Sequence, residues 1–206
     1  MCGISKSAFV LLGVGAIAAG LALTPLAISS ARADEKAGVR PGEKKPTKLV
    51  AGAKAPAFAP PTWVKGDPVT SFEPGKVYVV EFWATWCPPC LESIPHLTKL
   101  QKKFRENVTV IGMTSFERPG RDGTDNRLAK VEKFVKDQGD KMNYTIAFET
   151  DATIGKAWME AAEQDGIPAA FIVGGDGKIA WIGSPLDPKM EKQIEAAVKA
   201  ANPPKN

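Results

Sequence analysis

Residues 77–90 read VYVVEFWATWCPPC, and the architecture of the chain follows from them. The first seven are almost continuously apolar and rich in β-branched and aromatic side chains, which is typical of a strand covered on both faces. The residues that follow have helical spacing, because Cys90, Ile94 and Leu97 fall on one side of a helix. The pattern predicts a buried strand, a turn that carries Cys87, and a helix that points Cys90 into the core.

Cys87 and Cys90 form a C-x-x-C pair at the predicted start of this helix. Unpaired backbone N–H groups and the positive end of the helix dipole favour the thiolate form of Cys87, which we predict to be the nucleophile. Cys90 is then the resolving thiol, which attacks the mixed disulfide formed through Cys87 and closes the Cys87–Cys90 disulfide. The pair predicts a reversible dithiol for thiol–disulfide exchange.

Other uses of paired cysteines depend on which further ligands the chain offers. A purely structural disulfide with this spacing closes too small a loop to stabilise the fold much. A structural zinc site needs four ligands, and beyond Cys2 the chain has only these two cysteines and one histidine, His96. A copper(I)-binding or delivery module that uses Cys87, Cys90 and His96 stays open, because thiolates select that ion. A thiol peroxidase is a weaker alternative, because that class usually has Thr where this chain has Ala84.

The first 33 residues have the pattern of a targeting segment and are set apart from the fold. Lys6 precedes an apolar run over residues 8–28, and Ala31-Arg32-Ala33 fits the small-x-small rule for cleavage. We predict a signal peptide over residues 1–33, while the length of the run keeps an uncleaved membrane anchor as an alternative. Either outcome predicts an exported protein of the periplasm or cell envelope, and the anchor would tether it to the membrane.

Composition divides the rest of the chain into a linker, one domain and a short tail. Residues 34–54 are rich in Lys, Gly, Pro and Ala, which predicts a flexible linker. Residues 55–202 have the size of one domain with a sizeable core, and residues 203–206 form a tail. The 27 Lys and Arg against 23 Asp and Glu are too balanced to indicate nucleic-acid binding. We expect the domain to be a monomer.

Strand and helix patterns alternate along this domain. Helices are predicted after the dithiol, over 126–138, over about 153–162, and from Pro188 onward. Strands are predicted at 77–83, 108–113, 144–148, 169–173 and 178–182. A polar loop over 117–127 is expected to be solvated, with the alternative that it contacts partners because it follows a strand on the reactive side. The order of elements predicts an α/β fold with a central mixed sheet and helices on both faces, and it places Cys87 at the carboxyl end of a central strand.

Several motifs together resemble thioredoxin-fold proteins of the exported TlpA/ResA-like branch. They are VEFWATWCPPC at residues 80–90, Pro95, the Ala55-Pro56-Ala57-Phe58 entry, Gly75-Lys76 and Gly166-Ile167-Pro168. The 54 residues from 114 to 167 leave room for the extra helix and strand that this branch inserts between the dithiol half and the cis-proline half. The resemblance implies a thioredoxin-like fold and a thiol–disulfide oxidoreductase that exchanges, and more specifically reduces, disulfides in other cell-envelope proteins.

The resemblance also implies roles for residues around the dithiol. Pro168 matches the cis-proline that faces the dithiol, and Ile167 would pair with an extended substrate segment. Trp86, Pro88 and Pro89 would complete the substrate-binding surface, with no metal and no cofactor. The implied partners are proteins that carry disulfides or dithiols. A reductant would also need a membrane thiol donor, because the mature chain has no second cysteine pair.

Glu81 lies inside the apolar strand that precedes the dithiol. A carboxyl at this position should be desolvated, which raises its pKa and lets it exchange protons with Cys90 near neutral pH. The alternative is that Glu81 reaches solvent or an ordinary partner. The TlpA/ResA-like branch usually has Glu three residues after the second cysteine, where this chain has Ser93, and Glu92 lies one position early. The pattern therefore does not indicate a role in cytochrome maturation.

Overall fold

A computed structural model describes residues 48–58 and 61–203 of the chain. Within these residues the sheet has six strands, β1 Thr62–Lys65, β2 Val77–Phe82, β3 Val108–Thr114, β4 Thr145–Phe148, β5 Ala169–Val173 and β6 Ile179–Gly183. The helices are α1 Pro88–Phe104, α2 Arg127–Gln138, α3 Thr153–Gly155 and α4 Met190–Ala201. A 3₁₀ turn at Gly139–Met142 follows α2, and a π-helical turn at Lys156–Glu160 follows α3. The predicted α/β fold is confirmed.

The strands are arranged in the order β1-β4-β3-β2-β5-β6, and the sheet is mixed. Strands β2, β3 and β4 are parallel, whereas β1, β5 and β6 run antiparallel to their neighbours. Helix α2 and strand β4 lie between β3 and β5 in the chain, which is the extra helix–strand pair that the sequence predicted. Strand β2 lies in the interior of the sheet, between parallel β3 and antiparallel β5, and the turn after it lies at the carboxyl edge of the parallel strands, where open α/β sheets hold their sites.

The two faces of the sheet bury different side chains, and helices cover both of them. On the first face, here called the α1 face, α1, α2 and α4 pack over residues such as Val77 and Val79. On the second, here called the aromatic face, α3, the π-helical turn and Leu49 pack over residues such as Tyr78 and Phe82. Every residue of β2 is buried, as its apolar sequence predicts. The predicted arrangement of helices on both faces is confirmed.

The domain begins earlier than the sequence predicted. Leu49 is buried on the aromatic face, and its backbone N–H donates to the carbonyl oxygen of Ala161 at 2.7 Å. The backbone N–H of Gly52 donates to the carbonyl oxygen of Ile179 at 2.8 Å. Residues 49–54 therefore pack on the domain and do not belong to the flexible linker. Their composition is that of a linker, and only the folded domain shows that Leu49 is buried while its neighbour Val50 is exposed.

Three elements differ in detail from the prediction. Strand β1 was not predicted, because it has only four residues and lies at the edge of the sheet, where it pairs with β4. The helix predicted from residue 153 has three α-helical residues before it widens into the π-helical turn. Helix α4 begins at Met190, two residues after the predicted start at Pro188, because Asp187 Oδ1 accepts from the backbone N–H of Lys189 at 2.8 Å in a preceding turn.

Several predictions concern residues outside the described part of the chain. They are the signal peptide or anchor over 1–33, the tether through residues 8–28, residues 34–47 of the linker and residues 204–206 of the tail, and they stay predictions. In the part of the chain that the structure describes, no helix combines the length and the apolar character needed to cross a membrane.

Candidate active site

The two predicted cysteines are joined by a disulfide at the start of α1. Their sulfur atoms are 2.06 Å apart, and Cys87 is the N-cap residue, whose Sγ accepts from the backbone N–H of Cys90 at 3.3 Å. Cys90 is fully buried on the α1 face, whereas Cys87, although only 3% exposed, lines an open hollow that Cys90 does not reach. The helix N-terminus is where a thiolate is stabilised once the disulfide is reduced. The geometry therefore separates a sulfur that a partner can approach from one that faces the core.

The hollow beside Cys87 has a volume of about 610 Å³. Most of its walls are apolar, and they include Trp86, Pro88, Pro89, Phe116, Met159 and Ile167. The Ile167–Pro168 peptide bond is cis, and the carbonyl oxygen of Ile167 lies 3.6 Å from Cys87 Sγ. The structure thus brings together around Cys87 all the residues that the resemblance implied for substrate binding.

The loop after β3, predicted to be solvated, is fastened to the turn that carries the dithiol. Glu117 is only 8% exposed, and its Oε2 accepts from the backbone N–H of Thr85 at 3.0 Å and from the Thr85 hydroxyl at 2.9 Å. Trp86 Nε1 donates to the carbonyl oxygen of Phe116 at 3.0 Å. The Arg118 guanidinium lies 3.6 Å from the centre of a Trp86 ring. The prediction of a solvated loop is wrong for Glu117, which is buried. The sequence offered one indication of its role, namely its position shortly after a buried strand.

Glu81 lies on β2 and is 1% exposed. Burial raises the pKa of its carboxyl to about 8, and a hydrogen bond from Ser93 partly opposes this shift. Glu81 Oε1 is 3.3 Å from Ser93 Oγ, whereas Oε2 has no hydrogen-bond partner among the described residues. The burial excludes the alternative in which Glu81 reaches solvent. A carboxyl with a pKa near neutrality can both accept and release a proton.

Ser93 belongs to the site, although the sequence marked it only as a departure from the pattern of the branch. Its Oγ is 2.7 Å from the carbonyl oxygen of Cys90 and 3.3 Å from Glu81 Oε1. A hydroxyl has one proton to donate, so Ser93 donates to Cys90 only when the contact with Glu81 is made by a protonated carboxyl. When Glu81 is ionised, the hydroxyl turns towards the carboxylate. Ser93 thereby connects the protonation of Glu81 to the helical turn that holds Cys90.

His96 and Trp83 have structural places away from the disulfide. His96 is half-buried on α1. Across residues 48–58 and 61–203, no three His, Cys, Asp or Glu side chains form a group that could hold a metal ion, so the copper set of Cys87, Cys90 and His96 is not assembled. Trp83 is 1% exposed and its ring lies 5.5 Å from that of Phe134, as a core residue.

The fold and the site define a class of protein. A mixed sheet covered on both faces, a C-x-x-C disulfide at the helix that follows the central strand, and a cis-proline against the first cysteine are the features of a thioredoxin-fold dithiol protein. The chain belongs to the Redoxin family, which it matches over residues 50–198. The predicted TlpA/ResA-like resemblance is confirmed by the relatives that follow.

Three named proteins are similar in sequence to this domain. Protein FixW of Rhizobium leguminosarum is 32% identical over 133 residues, which cover 64% of this chain and 59% of that protein. Thiol-disulfide oxidoreductase ResA of Bacillus subtilis is 26% identical over 109 residues, which cover 52% of each chain. A ResA of Bacillus cereus is 25% identical over 158 residues, which cover 76% of this chain and 81% of that protein. The chain spans little more than half the length of the first two relatives.

Solved structures agree with this placement. A thiol:disulfide interchange protein of the thioredoxin family from Chlorobium tepidum TLS superposes with a TM-score of 0.55 at 27% identity, covering 77% of this chain and 98% of that one. A putative thiol:disulfide interchange protein DsbE from Chlorobium tepidum superposes with a TM-score of 0.57 at 25% identity, covering 74% and 98%. The thioredoxin-like fold is confirmed, and the predicted enzyme class is the one that these names state.

Proposed function

We propose that this protein is an exported thiol–disulfide oxidoreductase that exchanges disulfides with other proteins of the cell envelope. The observation that carries the proposal is the asymmetry of the disulfide. Cys87 caps α1 and lines the hollow beside Ile167, whereas Cys90 is buried behind it. A partner sulfur can therefore approach only one of the two cysteines.

The reaction follows from this asymmetry and conserves atoms and electrons. The Cys87 thiolate attacks one sulfur of a partner disulfide, the partner S–S bond breaks, and one partner thiolate leaves and takes a proton from water. The Cys90 thiol gives its proton to the Glu81 carboxylate and attacks Cys87 Sγ. The Cys87–Cys90 bond forms, the second partner thiolate leaves, and it recovers the proton from Glu81. Two electrons pass from the protein dithiol to the partner disulfide.

Ile167 and the hollow supply the surface for this partner. The carbonyl oxygen of Ile167, which precedes the cis-proline, lies 3.6 Å from Cys87 Sγ, so an extended segment that pairs with the backbone of Ile167 would bring its cysteine to Cys87. The apolar walls, with Trp86 held by Phe116 and Arg118, favour apolar side chains next to that cysteine. The hollow therefore supports a protein substrate presented as an extended chain.

Reduction is the direction that we propose, and export is the compartment. The reductive direction is supported by the resemblance to the TlpA/ResA-like branch, while the names thiol-disulfide oxidoreductase and thiol:disulfide interchange protein support exchange without stating its direction. The predicted leader over residues 1–33 supports export. After each turnover a reductant holds the Cys87–Cys90 disulfide, which must be reduced again. Beyond the predicted leader the sequence has only these two cysteines, so the electrons must come from another protein, which we propose to be a membrane dithiol protein. Two electrons then pass from that donor to the Cys87–Cys90 disulfide, and from the resulting dithiol to the substrate disulfide.

Trapping of mixed disulfides tests the exchange itself. Cys90→Ser in the full chain should accumulate covalent adducts with envelope proteins, because the resolving step is lost, and Cys87→Ser should accumulate none. Adducts on Cys87→Ser in place of Cys90→Ser would contradict the assignment of the nucleophile. No adducts on either variant, together with no reduction of insulin disulfides by the wild type, would contradict the function.

The direction needs a separate measurement. Equilibration of the Cys87–Cys90 couple with glutathione gives its potential, and alkylation in intact cells gives its resting redox state. A potential near that of thioredoxin and a reduced resting state are expected for a reductase. A strongly oxidising couple that rests as the disulfide would instead identify a disulfide donor.

A further inference from the structure

Three buried polar atoms on the α1 face have no hydrogen-bond partner among the described residues. They are Oε2 of Glu81, Nε1 of Trp83 and the hydroxyl oxygen of Tyr144. None of these three side chains belongs to a residue more than 5% exposed. A buried polar atom without a partner costs free energy, so such atoms in folded proteins nearly always have one. Their occurrence on the same face indicates that they share a site.

Gly112 on β3 brings these side chains together. It pairs with Glu81 across β2 and β3, and with Ile146 across β3 and β4. Tyr144 lies two residues before Ile146 and so faces the same side of the sheet. A Cβ at Gly112 would lie 2.9 Å from Trp83 Nε1 and 3.1 Å from Cε2 of Tyr144. The glycine thus lets the indole and the phenol ring pack over its backbone, next to Glu81.

The hydrogen-bonding capacities of the three groups are complementary. Trp83 Nε1 can only donate, the Tyr144 hydroxyl can donate, and an ionised Glu81 carboxylate can only accept. Burial raises the pKa of Tyr144 well above its usual value, and the charge of Glu81 adds to the increase. Tyr144 therefore keeps its proton and stays a donor throughout the working pH range.

We propose that Tyr144 is a positioning residue for Glu81, whose Oε2 accepts from the Tyr144 hydroxyl through one internal water, with Trp83 Nε1 as a second donor. The inference rests on the proposed function, in which Glu81 takes the proton of Cys90. Donors on Oε2 stabilise the carboxylate inside an apolar core and leave Oε1 directed at Ser93. Because Tyr144 directly precedes β4, the inserted helix–strand pair contributes a residue to the site.

Other elements packed on this part of the α1 face bring few ionisable groups. In the described part of the chain, α1 contributes Cys90 and Ser93, with Cys87 at its cap. The sides of α2, α4 and β5 that pack here are apolar, with Val131, Val135, Met190, Ile194 and Ala170. In the oxidised protein the cysteines do not titrate, so the titration of Glu81 reports directly on its contact with Tyr144.

The test is the substitution Tyr144→Phe, which removes only the hydroxyl. In the oxidised full chain we expect it to raise the pKa of Glu81 by about one unit, a tenfold change in the ionisation equilibrium, because a donor to the carboxylate is lost. Carbon-13 NMR of the glutamate carboxyls measures the titration, and Glu81→Gln identifies the signal. Tyr78→Phe is the matched control, because Tyr78 is equally buried but lies on the aromatic face and accepts from the backbone N–H of Glu73.

The control variant should leave the titration of Glu81 unchanged, and an unchanged titration in Tyr144→Phe overturns the inference. A second measurement needs no variant of Tyr144. In the wild type, the Cζ resonance of Tyr144 should move as Glu81 ionises and should stay constant in Glu81→Gln, and a constant resonance in the wild type also overturns the inference. Failure of the proposed function looks different, since it would appear as a wild type that does not reduce insulin disulfides, whereas these titrations are made on the oxidised protein and do not depend on exchange.

Discussion

The α1 face and the aromatic face belong to the same sheet and alternate along the same strands, but they bury different chemistry. The aromatic face holds a cluster of rings, namely Phe58, Phe72, Tyr78, Phe82, Trp158 and Phe171. The α1 face holds Glu81, Ser93 and Cys90 among mostly aliphatic side chains, with Trp83, Tyr144 and Phe148 as its buried aromatic residues. The comparison indicates that one face stabilises the domain, while the other gives up some stability to keep an ionisable group beside the resolving thiol.

Two tyrosines show the difference most directly. Tyr78 and Tyr144 are both buried, yet the Tyr78 hydroxyl accepts from the backbone N–H of Glu73 at 3.2 Å, whereas the Tyr144 hydroxyl has no partner among the described residues. The first is a satisfied core residue at the edge of the ring cluster. The second packs with Trp83 over Gly112, the residue that pairs with Glu81 across β2 and β3. Sequence composition alone does not separate them.

The largest effect on stability should come from the aromatic face. Trp158→Ala removes a fully buried indole from the ring cluster, and we expect the free energy of unfolding to fall by about 3–5 kcal/mol, as large-to-small core substitutions do. Urea unfolding measures the loss. Trp181→Ala, which removes a half-buried tryptophan from β6, is the control and should cost clearly less. At urea concentrations where Trp158→Ala is still folded, it should exchange disulfides at nearly the wild-type rate. A large fall in the exchange rate of the folded variant would contradict the idea that the aromatic face contributes to stability and not to exchange.

Next comes Glu81→Gln, which should stabilise the oxidised protein at high pH. Burial holds the pKa of Glu81 at about 8 in the fold against 4.5 for the unperturbed group, so the folded state binds the proton more tightly than the unfolded state. That stability is fully present below about pH 4.5 and is lost as the pH rises through 8. The loss is on the order of 4 kcal/mol, from 1.36 kcal/mol per pKa unit.

Urea unfolding at a series of pH values checks this prediction. Wild type and Glu81→Gln should have similar stability near pH 4, and the variant should be more stable at pH 8. The same variant should slow disulfide exchange at neutral pH tenfold or more, because a general acid–base group is lost. If the free energies of unfolding of the two proteins changed with pH in the same way, Glu81 would not be the group that causes the loss of stability. An equal exchange rate in the two proteins would show that Glu81 takes no part in the reaction.

A smaller effect is expected from Ser93→Ala, which removes the hydroxyl between Glu81 and the Cys90 carbonyl. Because the bond from Ser93 lowers the pKa of Glu81, its loss should raise that pKa further, by about one unit. The pH profile of exchange should move to higher pH by the same amount. Ser71→Ala, at an exposed serine, is the control. An unchanged Glu81 pKa would show that Ser93 does not act on the carboxyl, and a lower one would contradict its role as a donor to the carboxylate.

The smallest effect should come from Arg118→Ala at the mouth of the hollow. The guanidinium lies over the Trp86 ring, and an exposed cation–π contact contributes about 0.5–1 kcal/mol. We expect a loss of stability no larger than that and a several-fold rise in KM for a peptide disulfide, as Trp86 becomes less ordered. Arg105→Ala, on the far end of α1, is the control. A fall in kcat with an unchanged KM would place Arg118 in the chemistry and not in substrate binding.

Much of the site could be predicted from one continuous segment. The strand, the helix start at Cys87, the inward position of Cys90 and the burial of Glu81 all lie within residues 77–90 and depend on local periodicity. Residues that join the site from elsewhere carried weaker signals. Glu117, Ser93 and Tyr144 look like an ordinary loop residue, a helix residue and a strand flank, and only their contacts show what they do.

Spacing along the chain was enough to predict the fold class, the reactive dithiol, the order of its two thiols and the central strand that bears it. Two features became visible only in the folded domain: residues 49–54 join it, and Tyr144 packs with Trp83 over Gly112, the residue that pairs with Glu81. The cis bond before Pro168 was predicted from the resemblance, and the structure places it beside Cys87. Burial and hydrogen bonding between distant residues depend on how the strands pair and on where a side chain is missing, as at Gly112. The spacing of residues along the chain does not show which distant side chains become neighbours in the fold.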